Sequence, residues 1–100
     1  MTVARVHMLE TTREQHDVGL AAVTEEILPW LRDATGFRGL IRLANPDTGK
    51  VLVVTLWATE KDRDDSAAAA RQFTELTATG VGAAWLSVDD YDVSLFDVQA

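Results

Sequence analysis

The segment Val51–Trp57, with the sequence V-L-V-V-T-L-W, is apolar on both of the faces that a β-strand presents. Side chains alternate along a strand, so one face receives Val51, Val53, Thr55 and Trp57, and the other receives Leu52, Val54 and Leu56. A strand of this kind is expected where both sides of its sheet are covered. Two helices cover only one side of a four-stranded sheet, and we expect the face of Val51, Val53 and Trp57 to remain as a large apolar patch. Such patches mark association sites, so the segment predicts a homodimer in which two sheets face each other.

The neighbouring sequence extends this strand into a hairpin. Phe37–Asn45 and Lys50–Ala58 read as two strands, and Pro46-Asp47-Thr48-Gly49 between them is typical turn sequence. Proline presets φ in such a turn and glycine accepts a positive φ. Two apolar runs joined by so short a polar turn predict an antiparallel pair.

The remaining elements flank this hairpin on both sides. Val3–Leu9 predicts a first strand, and a helix begins near Thr11-Thr12, where two capping-box patterns overlap. Its buried stripe comprises Leu20, Val23, Ile27, Trp30, Leu31 and Ala34, with a kink expected at Pro29 and a left-handed stop at Gly36.

After the hairpin, a second helix is expected from Thr59 to about Thr79, capped by Thr59-x-x-Asp62. Its buried stripe would be Ala67, Ala70, Phe73 and Leu76, and Gly80 and Gly82 would end it. Tyr91–Val98 predicts a closing strand, which the stretch 83–88 either extends or leads into irregularly. The order β-α-β-β-α-β predicts an α+β, ferredoxin-like domain with a four-stranded antiparallel sheet, spanning residues 1–100.

Composition restricts the classes of function. With 47% hydrophobic and 25% charged residues, 100 residues describe one globular domain. Sixteen acidic against nine basic residues give a net charge of −7, which disfavours nucleic acid as a partner. There is no cysteine, His7 and His16 lie at unrelated positions, and no phosphate-binding loop occurs, so we expect neither a metal nor a nucleotide cofactor. No apolar run reaches membrane-spanning length and the N-terminus lacks a signal pattern, which predicts a cytoplasmic protein without a membrane partner.

Five residues carry the candidate chemistry. Arg5 and His7 share one face of the first strand, and Arg42 places a further charge inside the sheet. Charges in a sheet covered on both sides are costly unless they are paired or solvated. They would bind a carboxylate, phenolate or enolate, with His7 as the catalytic proton acceptor. Trp57 would stack on a planar aromatic ligand, with Thr55 beside it on the same face.

Four of these residues also have a purely structural interpretation. Trp57 would then be a core or dimer-interface residue. Arg5 and Arg42 would pair with acidic residues at the rim of the sheet, and His7 would be a core histidine with its hydrogen bonds satisfied. The acidic run Asp62, Asp64 and Asp65 has no calcium-loop pattern and is expected to be the solvated start of a helix.

Four segments resemble the antibiotic-biosynthesis-monooxygenase-like family of the dimeric α+β barrel superfamily. They are Leu28-Pro29-Trp30-Leu31, Gly36-Phe37-Arg38-Gly39, Val53-Val54-Thr55-Leu56-Trp57-Ala58-Thr59-Glu60 and Val88-Asp89-Asp90-Tyr91-Asp92-Val93. The resemblance spans nearly the whole chain. It implies a subunit that pairs sheet to sheet, with a cavity between the sheet and the helices.

The family includes cofactor-free monooxygenases of polyketide aromatics and haem-degrading enzymes. The haem-degrading branch pairs the strand-three Trp with an Asn on the first strand and a His on the second helix. Trp57 matches, but residues 3–9 contain no Asn and residues 60–79 contain no His. The quinone-forming branch carries an Asn on the strand of the Trp, and residues 51–56 contain none. The resemblance therefore implies the fold, and with it either a cofactor-independent monooxygenase of a planar aromatic molecule or a non-catalytic ligand-binding or assembly protein.

Overall fold

The computed structural model describes residues 2–66 and 84–99, the last group without the side chains of residues 84 and 85. These residues form a four-stranded antiparallel sheet with helical segments packed on one side. The strands are β1 (Val3–Glu10), β2 (Phe37–Ala44), β3 (Lys50–Trp57) and β4 (Ala84–Asp92), in the spatial order β2-β3-β1-β4. The helical segments are α1 (Arg13–Ala22), a π-helical turn (Val23–Ile27), α2 (Leu28–Arg32) and α3 (Glu60–Asp65). The predicted α+β, ferredoxin-like fold is confirmed.

The β2–β3 hairpin forms as its turn sequence predicts. The side-chain oxygen of Asn45 accepts hydrogen bonds from the backbone N–H groups of Asp47 and Thr48, at 3.0 and 3.3 Å. Gly49 adopts a φ of +76°, which few other residues tolerate. Its carbonyl also accepts a hydrogen bond from the N–H of Thr11 at 2.8 Å, so the turn holds the loop that leads into α1.

The first helical region is less regular than the expected single helix kinked at Pro29. Thr12 caps α1, and its hydroxyl oxygen accepts a hydrogen bond from the N–H of Gln15 at 3.2 Å. The irregularity begins earlier, in the π-helical turn, where the N–H of Leu28 donates to the carbonyl of Val23. Proline lacks an N–H, so a widened turn just before Pro29 accommodates the missing bond without breaking the helical path. Gly36 is left-handed with a φ of +77°, although α2 has already ended at Arg32.

The second helix and the last strand differ in extent from the prediction. Thr59 caps α3 as expected, since its hydroxyl oxygen accepts a hydrogen bond from the N–H of Asp62 at 3.1 Å. The expected continuation to Thr79 lies outside the described residues, as do its buried stripe and the glycines Gly80 and Gly82. Strand β4 begins at Ala84, so the stretch left undecided is strand from residue 84 onward. The expected strand over 93–98 is wrong, because β4 ends at Asp92. Just beyond it, the N–H of Val93 donates to the carbonyl of Thr2 at 3.0 Å.

The two faces of the sheet have opposite environments. Val51, Val53 and Trp57 are only 1–2% exposed, since they pack with the stripe of the first helical region, Val23, Ile27 and Leu31. The expectation that this face is the exposed patch is therefore wrong.

The face that the described helices leave uncovered is the opposite one. There the register aligns Ile41, Val54 and Val6 in one row and Leu43, Leu52 and Met8 in the next. Ile41 is 41% exposed and Leu43 is 52% exposed on this face.

Candidate functional site

All five predicted site residues lie on the helix-covered face of the sheet. The strand register places Arg42, Val53 and His7 side by side in one row, and Leu40, Thr55 and Arg5 in the row next to it. Trp57 follows on β3, two residues beyond Thr55 and therefore on the same face. Strand pairing thus brings together residues that are far apart in the chain.

Trp57 and Thr55 form a buried chain of hydrogen bonds. The indole N–H of Trp57 donates to the Thr55 hydroxyl oxygen at 3.0 Å, and that hydroxyl donates to the carbonyl of Arg5 at 3.4 Å. The ring of Phe37 meets the indole edge to face, with centroids 5.5 Å apart. Both polar groups are thus satisfied within the protein, so they serve to hold the indole in position.

Arg5 is engaged in a network of ionic hydrogen bonds. Its Nε donates to Asp90 Oδ1 at 2.9 Å, and its Nη1 donates to the carbonyl of Arg63 at 3.4 Å. Arg63, also largely buried, lies 3.7 Å from Asp90 and 3.2 Å from Asp64. The hydrogen bond and charge of Arg5, with the charge of Arg63, lower the pKa of the Asp90 carboxyl. The network joins β1, β4 and α3, and it matches the structural interpretation of Arg5, in which an acidic partner neutralises the charge.

His7 is a buried histidine that is neutral at pH 7. Burial lowers its pKa from the ordinary 6.5 to about 4, and the nearby Arg5 charge acts in the same direction. A hydrogen bond with the Val53 backbone and the charge of Asp90 oppose this shift without cancelling it. A neutral imidazole accepts a proton, but one with this pKa is a weak base at pH 7.

Arg42 is the predicted anion-binding residue on β2. Burial lowers its pKa, and its guanidinium packs against α1 at Gly19, where an added Cβ would lie 3.6 Å from Arg42 Nη2. Within residues 2–66 and 84–99, Arg42 forms no ion pair.

A cavity of about 380 Å³ opens between α2 and α3 at the end of β3. The described residues that line it are Trp30, Ala34, Thr35, Trp57, Lys61, Asp62, Asp65 and Ser66. Of the five predicted site residues, only Trp57 is among them. Trp57 is 2% exposed, whereas Trp30 is 44% exposed and is the more accessible of these two indoles. The volume suits a small organic ligand, since such pockets measure about 300–1,000 Å³.

The sequence predicts structural roles for four of the other lining residues. Trp30 and Ala34 are expected in the buried stripe of the first helix, and Asp62 and Asp65 at a solvated helix start. One feature of the sequence does indicate that Asp62 and Asp65 lie near Trp57, since α3 begins only three residues after it. Trp30 lines the same cavity as Trp57 because of how α2 packs, which the sequence does not indicate. In the part of the chain that the structure describes, no three His, Asp or Glu side chains converge as a metal site, and no helix is long and apolar enough to cross a membrane.

Comparison with solved structures identifies the fold. A monooxygenase from Streptomyces coelicolor, solved in complex with nanaomycin D, matches with a TM-score of 0.72 at 15% identity, over 99% of this chain and 92% of the other. The chain has the fold of the antibiotic biosynthesis monooxygenases. An antibiotic biosynthesis monooxygenase-like protein from Deinococcus radiodurans matches equally well, with a TM-score of 0.72 at 13% identity over the full length of both chains.

A second kind of protein shares this fold. The heme degrader MhuD from Mycobacterium tuberculosis, solved with two hemes in its active site, has a TM-score of 0.70 at 20% identity, covering 97% of this chain and 99% of its own. No family model matches the sequence. No curated protein matches it either. The likeness expected from the sequence is therefore confirmed at the level of the fold.

Proposed function

We propose that this chain is a cytoplasmic homodimer that binds a planar aromatic small molecule in the cavity between α2 and α3. The observation that carries the proposal is a cavity of about 380 Å³ with two indoles, Trp30 and Trp57, in its wall. Aromatic side chains favour planar ligands because offset stacking and edge contacts add to the burial of apolar area. The hydrogen bond to Thr55 and the edge-to-face contact with Phe37 hold the Trp57 indole in place in the cavity wall.

The dimer is supported by the apolar sheet face opposite the helices. Its central rows contain aliphatic side chains from three neighbouring strands, with Leu43 and Ile41 more than two-fifths exposed. A contiguous patch of this kind favours association, and a second copy offers an equally flat and apolar sheet. Its mass in solution at micromolar concentration is the direct measurement. A single 11.0 kDa species would contradict the dimer without touching the cavity.

Cofactor-independent monooxygenation is a second candidate function for the same cavity. It is favoured by the likeness in fold to the monooxygenase solved with nanaomycin D, and by the row of Arg42 and His7 on the same face of the sheet as Trp57. In that reaction a phenol with a free ring carbon and one O₂ yield a quinone and water, so dioxygen is the oxidant and the substrate supplies the electrons. His7, Arg42 and Arg5 are not among the described residues that line the cavity, so the substrate would have to extend beyond it. His7 would then accept the proton and Arg42, with Arg5, would stabilise the anion.

The polar side chains proposed for catalysis favour ligand binding over catalysis as the function. Arg5 and Thr55 already have partners within the protein, and the pKa of about 4 makes His7 a weak base at neutral pH. Binding in the cavity does not depend on these three residues, because none of them is among its described lining residues. The aromatic binding site is thus the function that the described geometry supports best.

The test is a thermal-shift panel of planar aromatics that includes haem, a naphthoquinone and a polyphenol. At a ligand concentration of 100 Kd, binding should raise the free energy of unfolding by about 2.7 kcal/mol. The Trp30→Ala variant should lose the shift, while Val18→Ala, which removes an exposed side chain of α1 away from the cavity, should retain it. A uniformly flat panel would overturn the proposal. Oxygen consumption with each hit then separates an enzyme from a binding protein.

A further inference from the structure

The charges of the described residues around the cavity do not cancel. Among residues 2–66 and 84–99, the charged lining residues are Lys61, Asp62 and Asp65. Lys61 Nζ lies 2.5 Å from Asp65 Oδ2, in a pair spaced four residues apart on α3. That pair is neutral as a unit, so the carboxylate of Asp62 leaves the described lining with one negative charge.

Asp62 occupies a defined position in the cavity wall. Its backbone N–H is held by the hydroxyl of Thr59, and its carboxylate packs directly on the left-handed turn at Gly36, where any Cβ would overlap it. Its side chain is partly buried, and no cation in residues 2–66 or 84–99 forms an ion pair with it. The first turn of α3 stabilises a carboxylate, but a helix end carries only about half an elementary charge and does not neutralise a full one.

The aromatic walls add to this preference for positive charge. An indole attracts a cation placed over its face by about 0.5–2 kcal/mol, depending on how dry the site is. The whole chain carries a net charge of −7, and a field of this sign raises the local concentration of cations and lowers that of anions. Cavity lining, aromatic walls and net charge therefore favour the same sign of ligand charge.

We infer that the ligand of this cavity is a cation with a planar aromatic ring, such as a protonated arylmethylamine, with its charge near Asp62 and its ring beside Trp30. The inference rests on the proposed aromatic binding site and specifies the class of ligand for it. It assigns to Asp62 the role of the specificity-determining residue, and to the Lys61–Asp65 pair only a place at the rim.

Three probes of nearly equal size and different charge test the inference by isothermal titration calorimetry at pH 7. They are 2-naphthylmethylamine, which is cationic, 2-naphthylmethanol, which is neutral, and 2-naphthoate, which is anionic. The cation should bind at least about tenfold more tightly than the alcohol, a ratio equal to about 1.4 kcal/mol, and the anion should bind most weakly. Asp62→Asn should reduce the affinity for the cation to that for the alcohol and leave the alcohol's affinity unchanged.

Glu60→Gln is the matched control. Glu60 is exposed, lies in the same first turn of α3 and does not line the cavity, so this variant removes the same charge from the same helix end. It should preserve the preference for the cation. Equal loss in both variants, or equal binding of the three probes, would overturn the inference while leaving the aromatic site intact. Failure of all three probes to bind would overturn the proposed function as well.

Discussion

At the scale of single residues, the indole of Trp57 depends on one hydroxyl group. Thr55 is the acceptor for its N–H, and both side chains are buried, so no water replaces the bond if it is lost. Valine has nearly the same shape as threonine and lacks this acceptor. Serine keeps the acceptor and lacks only the methyl group.

We therefore expect Thr55→Val to lower the free energy of unfolding by about 1–3 kcal/mol, the cost of leaving a buried donor unsatisfied. Thr55→Ser should cost less, because the hydrogen bond persists. Urea unfolding of the two variants side by side measures the difference. If valine is tolerated as well as serine, Thr55 does not hold the indole.

His7 predicts a pH dependence of stability. Its pKa is about 4 in the folded protein and 6.5 when the chain is unfolded, so the unfolded state takes up a proton first as the pH falls. Above pH 6.5 the residue has no effect. Between pH 6.5 and 4 stability falls progressively, by a total on the order of 3 kcal/mol.

The measurement is chemical denaturation from pH 7.5 to 4.5 on the wild type and on His7→Gln. The variant should flatten this part of the profile, because it removes the buried group whose pKa is lowered. Parallel profiles for wild type and His7→Gln would show that burial does not depress the His7 pKa.

At the scale of elements, the ion network is the polar link that joins α3 to the sheet. Arg5 on β1 binds the carboxylate of Asp90 on β4 and a carbonyl of α3, and Arg63 reaches the same carboxylate. The Arg5 and Arg63 side chains are each 11% exposed, so removal of their anion leaves charge in a poorly solvated place.

Asp90→Asn should therefore destabilise the protein by about 1–2 kcal/mol, toward the low end of such effects because the carboxylate is itself 40% exposed. Asp89→Asn is the natural comparison. Asp89 is its exposed neighbour on the opposite face of β4, and its substitution should be nearly neutral. Thermal unfolding at pH 7 compares them, and equal melting temperatures for the two variants would contradict a structural role for the network.

At the scale of the whole molecule, the uncovered sheet face sets the oligomeric state in our proposal. Ile41 lies in the central row of that face and is already 41% exposed in the single chain. A charge placed there costs a monomer little, but it would be buried without a partner between two sheets.

Ile41→Lys should thus convert the dimer into a folded monomer, with little change in far-ultraviolet circular dichroism. Val18→Lys should remain dimeric, because Val18 is 49% exposed on α1 and lies off that face. Light scattering coupled to size exclusion measures both. A dimeric Ile41→Lys variant would place the interface elsewhere.

Much of this architecture was predictable because its causes are local. The Pro46–Gly49 turn, the Thr12 and Thr59 caps and the alternation along β3 each depend on residues within a few positions of one another. Their order then restricts the sheet to few topologies, which is why the fold followed from the sequence. Alternation also gave the shared face of Arg5 and His7 and that of Thr55 and Trp57, but only the strand register joins these faces with Arg42.

The rest required tertiary structure because it depends on which distant surfaces meet. Alternation places Val51, Val53 and Trp57 on one face of β3 and Leu52, Val54 and Leu56 on the other. It does not say which face the helices cover, and the expectation that the Trp57 face is exposed is wrong. The partner of Arg5 is Asp90, 85 residues away, and strand register alone aligns them. The cavity arises where the end of α2 approaches the start of α3, so its Trp30 and Asp62 became neighbours of Trp57 only through the packing of helices against the sheet.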